Sequence, residues 1–124
     1  IKIDFNILYL GCNFNSDNEF DIVNKYLLKC KLGFGMTTHA MIFKKSNIPK
    51  ILKIIENSKI EIDRVYSQIK NRYVIFPMIA IQREGVSNIS AYRELEKGGL
   101  LYNKKSRKIF YGNFNKDFII NKLN

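Results

Sequence analysis

Gly35-Met36-Thr37-Thr38-His39-Ala40-Met41-Ile42-Phe43 is the stretch on which the reading of the fold turns, because it holds the only histidine in 124 residues. Two threonines and the imidazole lead straight into an apolar run, and Gly33 and Gly35 loosen the backbone just before it. The pattern reads as a polar cluster at the mouth of a buried strand over residues 36–43. In α/β proteins such strand mouths are where ligands bind.

Upstream, Ile3, Phe5 and Ile7 alternate with polar residues before Leu8-Tyr9-Leu10 becomes continuous, and Gly11 ends the run. Alternation that turns into an unbroken apolar segment fits a strand entering a sheet covered on both faces. The loop 13–19 is rich in Asn and Asp, a turn-forming composition, so Asp17-Asn18-Glu19 reads as an exposed turn rather than a metal-binding acidic pair. Phe20, Val23, Leu27 and Cys30 lie at helical spacing, yet residues 26–32 also read as a strand, and the pattern leaves both open.

Downstream, Ser46 or Asn47 caps a helix over 47–56 with Pro49 in its first turn, and Ile48, Ile51, Leu52 and Ile55 form its apolar face. The strands 5–10 and 37–43 are expected as neighbours in one sheet under that helix. Ile62, Val65, Tyr66 and Ile69 mark a second helix over 63–70, with Asp63 at its start as an N-cap. Residues 73–81 form a β-rich run broken by Pro77, which removes a ladder donor and so marks an edge, a bulge or a bend. Beyond a polar loop at 82–87, a short helix ending at Gly98-Gly99 and a hairpin over 100–111 are expected.

Composition sets the outer limits. An apolar content of 46% with 13% aromatics suits one folded domain. No apolar run is long enough to cross a bilayer, and no basic-then-apolar leader opens the chain, so a cytoplasmic or membrane-peripheral location is expected. Ile1 in place of an initiating methionine carries the expectation that the chain belongs to something longer. Cys12 and Cys30 give neither a metal spacing nor a redox motif, and reduced, partly buried thiols are expected, with a bridge between them left open.

The net charge of +10 favours anionic partners: a nucleotide diphosphate, an anionic membrane face or nucleic acid. A lysine-rich composition that merely solvates the surface is the competing account. Residues 91–124 hold eight basic and three acidic side chains, half of the excess.

Four short blocks stand in a fixed order: Leu8-Tyr9-Leu10-Gly11, then Thr37-Thr38-His39-Ala40-Met41-Ile42-Phe43, then Glu61-Ile62-Asp63, then Pro77-Met78-Ile79-Ala80-Ile81-Gln82-Arg83-Glu84-Gly85-Val86-Ser87-Asn88-Ile89. In that order they resemble the C-terminal half of the family 25 glycosyltransferases, which include lipopolysaccharide and procollagen galactosyltransferases and giant-virus relatives. The resemblance spans about residues 3–90 and implies an α/β, GT-A-like domain, part of a nucleotide-sugar transferase, over 1–90. A basic helix-and-hairpin extension over 91–124 would follow it.

What the resemblance implies for function is inverting transfer of a hexose such as galactose from a nucleotide sugar to a hydroxyl of a glycan, lipopolysaccharide or protein. Asp63 would be the general base, and Thr37, Thr38, His39, Gln82 and Ser87 would line the sugar site, with Glu84 a weaker candidate. A manganese or magnesium ion is implied for a complete domain, held by an Asp-x-Asp motif. None of the 124 residues forms one, so no metal ligand is assigned here and the donor-binding half would lie elsewhere.

Two other classes compete. One is a non-catalytic remnant or partner module of transferase fold, supported by the same missing motif. The other parses 78–112 as a winged helix-turn-helix, although a basic surface alone gives weak, salt-sensitive DNA binding and not sequence-specific recognition.

Overall fold

The structure, a computed structural model, describes residues 3–14, 16–35 and 38–80. At its centre is a mixed five-stranded sheet: β1 (Ile7–Tyr9), β2 (Phe20–Asn24), β3 (Leu27–Cys30), β4 (Met41–Phe43) and β5 (Arg72–Ile75), in the order β2-β3-β5-β1-β4. Two helices, α1 (Ile48–Glu56) and α2 (Ile62–Ser67), connect β4 to β5. This is an α/β fold, as the alternation of strand-like and helix-like segments predicts.

β1 is short but deeply set. It pairs antiparallel with β4 (Leu8 opposite Ile42) and parallel with β5 (Leu8 opposite Tyr73), so every backbone polar group in it has a neighbour. Ile7, Leu8 and Tyr9 are all buried, which is burial on both faces and explains the loss of alternation in the sequence. The expected pairing of the first strand with the His39 strand is therefore present, over Ile7–Tyr9 and Met41–Phe43.

The ambiguous segment 20–30 is a hairpin. Phe20 stands opposite Cys30 and Ile22 opposite Leu28, and the Asn24 side chain accepts a hydrogen bond from the Tyr26 N–H at 2.8 Å to close the turn. The helical reading fails because period 2, not 3.6, governs burial here: Phe20 and Leu28 are fully buried, whereas Val23 is 47% exposed.

The strand expected over 36–43 starts only at Met41, with His39 and Ala40 in a bend before it. α1 lies within its expected span and has Pro49 in its first turn, but the Asn47 side chain donates to Asn6 Oδ1 instead of capping the helix. Ile51 reaches the core and Ile55 packs against it, while Leu52 remains half exposed. α2 is shorter than expected, and β5 ends at Ile75, just ahead of the Phe76–Pro77 cis peptide. Pro77 thus bends the chain away at the end of an interior strand rather than sitting within an edge strand.

One face of the sheet forms the core, where Ile7, Tyr9, Phe20, Leu28, Cys30 and Val74 meet Ile51 and Ile69 from the helical connection. The segment joining β1 to β2 contributes Cys12 and Phe14 to the same core, the Phe14 ring tilted against Phe20 with centroids 4.9 Å apart. Its 3-10 turn, Asp17–Glu19, is closed by a capping box between Ser16 and Glu19, which accounts for the acidic residues there without a metal.

Arg72, the first residue of β5, is completely buried in this core. All five of its N–H groups find acceptors. Nε donates to Ile69 O, Nη1 to Tyr9 Oη and Gly35 O, and Nη2 to Lys31 O and Ser67 O, at 2.9–3.4 Å. A buried guanidinium is tolerable only under such full satisfaction. It ties β1, the β3 exit and the α2 exit to β5.

Candidate functional site

Three of the four sequence blocks meet at one edge of the sheet, and the meeting point is Leu10-Gly11. The Leu10 N–H donates to Ala40 O at 3.0 Å, and the Leu10 carbonyl accepts from both Ile79 N–H (3.0 Å) and Ala80 N–H (3.1 Å). Backbone groups of the Leu10, Ala40 and Ala80 segments are thereby locked together. Because β4 is antiparallel to β1 and β5 is parallel to it, the start of β4 and the end of β5 both arrive where β1 ends. The two strands joined by α1 and α2 therefore run in opposite directions.

Gly11 makes the convergence possible. A Cβ on it would lie 1.8 Å from Ala80 O and 2.8 Å from His39 Nε2, so no other residue fits without moving the neighbouring chain. The sequence shows Gly11 only as a strand terminator. Its packing role is visible only once residues 39 and 80 are brought beside it.

His39 stands at this edge with its ring against Gly11. Both ring nitrogens are shut off from solvent, and neither has a hydrogen-bond partner among the described residues. Burial lowers its pKa below the ordinary histidine value, an effect partly opposed by the adjacent Ala80 backbone, with which no well-formed hydrogen bond is made. The imidazole is therefore held neutral near pH 7, with one nitrogen able to accept and the other to donate. Such a ring suits a hydroxyl-rich ligand, which supplies both kinds of partner.

Thr38 is exposed beside His39. Thr37, Gln82, Glu84 and Ser87 lie outside the described residues, as do the 91–124 extension and nearly all of the winged-helix parse. Of that parse, residues 78–80 are described. They are not helical and bind back to Leu10 instead.

Asp63 is not the N-cap that its spacing suggests. Glu61 occupies that position, and Asp63 is the second residue of α2, half buried, with Oδ1 accepting from the Arg64 N–H at 2.8 Å. No hydrogen bond or ion pair joins it to His39 among the described residues. The carboxylate is oriented by its own helix backbone.

A hard divalent cation needs several oxygen ligands around it. Among the described residues no cluster of three or more Asp, Glu, His or Cys side chains exists, and Asp4 is engaged with Lys44 at 2.6 Å. The described residues therefore offer no such ligand set for a manganese or magnesium ion. Among the described residues no helix is long and apolar enough to cross a membrane. Comparisons with protein-family models, curated proteins and solved structures found no match.

Proposed function

We propose that this chain is the acceptor-side half of a GT-A-like, inverting glycosyltransferase resembling family 25. In this reading a hexose such as galactose passes from a nucleotide sugar to a hydroxyl of a glycan, lipopolysaccharide or protein. The observation that carries it is the convergence at Gly11. Three blocks that stand far apart in the sequence have backbones that bond to one another and set at the join a neutral histidine whose ring nitrogens have no hydrogen-bond partner among the described residues.

In this reading the acceptor hydroxyl loses its proton to Asp63 Oδ2 as its oxygen bonds to the anomeric carbon, and the nucleoside diphosphate leaves with the electron pair of the broken bond. The Arg64 N–H keeps the carboxylate in one orientation during this step. His39 hydrogen-bonds a sugar hydroxyl and fixes the ring, with Thr37 and Thr38 beside it and Gln82 and Ser87 as further sugar contacts. Donor diphosphate binding belongs to another segment of polypeptide, since no step here can be assigned to a metal held by these residues.

The test is transfer of labelled hexose by the protein expressed in its complete reading frame. Wild-type turnover with Asp63→Asn reduced by about 10²-fold or more at unchanged melting temperature is the expected result, within the usual range for a lost general base. Equal turnover in the two proteins removes Asp63 from the chemistry. No transfer from any nucleotide hexose favours the second reading, a non-catalytic module of transferase fold, which the missing Asp-x-Asp motif already recommends.

A further inference from the structure

The core contains a pair of sulfurs that the transfer chemistry leaves unused. Cys12 sits in the segment that leaves β1 and joins the core, and Cys30 is the last residue of β3. Both are buried and both stand as thiols. They back onto a common point: a Cβ at Gly35 would lie 3.0 Å from Cys12 Sγ and 3.2 Å from Cys30 Sγ. The Cys12 side chain is also the largest influence on the Cys30 thiol, raising its pKa. Gly35 has φ +70°, so its lack of a side chain serves both the turn and the space in which the sulfurs meet.

We propose that Cys12 and Cys30 form a reversible dithiol–disulfide pair, oxidised by a small-molecule disulfide, that fastens the 12–19 segment to the sheet. Cys30, slightly the more exposed of the two, gives up its proton and attacks one sulfur of the oxidant. A mixed disulfide forms, and one thiolate leaves and takes up a proton. Cys12 then loses its proton and attacks the Cys30 sulfur, which forms the internal bond and releases the second half of the oxidant as a thiol. Two electrons and two protons pass from the pair to the oxidant, and every sulfur is accounted for.

The consequence is mechanical. Residues 12–19 carry the core residue Phe14 and the Ser16–Glu19 cap, and they begin immediately after Gly11. A bond from Cys12 to β3 removes the freedom of this segment and steadies the edge where Gly11, His39 and Ala80 meet. The neighbouring Cys12 thiol pushes the Cys30 thiol well above the ordinary cysteine range, with burial acting in the same direction and Arg72 opposing both. Exchange in the folded protein is therefore slow at neutral pH and faster as pH rises.

The experiment equilibrates the whole chain in glutathione buffers graded from reduced to oxidised, starting both from folded protein and from protein unfolded in urea and then diluted, so that burial does not limit the rate. Samples are acid-quenched, alkylated and measured as intact masses and as peptides. The expected result is a loss of about 2 Da per chain and a single Cys12–Cys30 crosslinked peptide, both reversed by dithiothreitol. The oxidised form should melt roughly 10 °C above the reduced form, and Cys12→Ser and Cys30→Ser should each abolish that difference. Two alkylatable thiols at oxidised equilibrium, a preponderance of glutathione adducts or linked dimers, or an unraised melting temperature overturns the proposal.

Discussion

Replacing Gly11 by alanine probes the convergence at its tightest point. The added methyl carbon would lie 1.8 Å from Ala80 O and 2.8 Å from the Ala80 carbonyl carbon, both of them backbone atoms, so no side-chain rotation relieves the clash. The residues following β5 must move away by more than an ångström. That displacement breaks the two hydrogen bonds from Ile79 and Ala80 to the Leu10 carbonyl. Each is worth about 0.5–1.5 kcal/mol net, and local overpacking typically adds about 1–3 kcal/mol. The expected loss is about 2–6 kcal/mol, a fall in melting temperature of roughly 8–24 °C for a domain of this size. Thermal and urea unfolding followed by circular dichroism measure the loss. Amide hydrogen exchange at Ile79 and Ala80 locates it, because those two protons should lose protection first. A fall of less than about 3 °C with both amides still protected refutes the argument.

Two further outcomes follow from the core and from the histidine. Arg72→Met removes five hydrogen bonds and leaves buried acceptors at Tyr9, Gly35, Lys31, Ser67 and Ile69 short of a donor, so unfolding should become easier by about 3–5 kcal/mol despite the loss of a buried charge. Urea titration of the two proteins gives the difference. His39 has a folded-state pKa below its unfolded value of about 6.5, so the unfolded chain binds the proton more readily, and stability should fall as pH drops through that value while staying flat above it. His39→Gln should remove this component, seen as a shallower slope of unfolding free energy between about pH 5 and 7.5; parallel slopes in the two proteins contradict a neutral buried imidazole.

What could be read from the sequence follows from how local each determinant is. The pairing of β1 with β4 was legible from the apolar run in each, but only β1 lies in the interior and is buried throughout; β4 is the edge strand, with Ile42 43% exposed, so the reading of it as buried does not hold. α1 was legible from Pro49 and the spacing of Ile51 and Ile55, whereas Leu52, equally apolar, stays half exposed for reasons that lie outside its own helix. The hairpin of β2 and β3 hid behind an accidental helical spacing of Phe20, Val23, Leu27 and Cys30, and the Asn24 side chain that closes it resembles any polar loop residue. Arg72 was invisible as a core residue because its burial depends on four carbonyls and a phenol drawn from distant segments. At the site, the position of His39 at a strand mouth was readable, but the partner that fixes it, Gly11, was not. A glycine required by close approach looks the same in sequence as a glycine that ends a strand. Asp63 was expected two positions too early relative to its helix, since Glu61 has a non-helical backbone and takes the cap position without a side-chain capping bond.

The central claim is that the edge formed by Gly11, His39 and Ala80 receives a sugar, and nuclear magnetic resonance tests it on the chain itself. The isotopically labelled protein is titrated with galactose, other free hexoses and a hexose disaccharide while the His39 ring and the Gly11 and Ala80 amides are followed. The account predicts saturable shifts at all three positions for at least one sugar, with the His39 signals moving most because its ring nitrogens, without a partner among the described residues, gain one. Signals at these positions that stay fixed up to tens of millimolar sugar, a range about ten times above an ordinary weak binding constant, would contradict it.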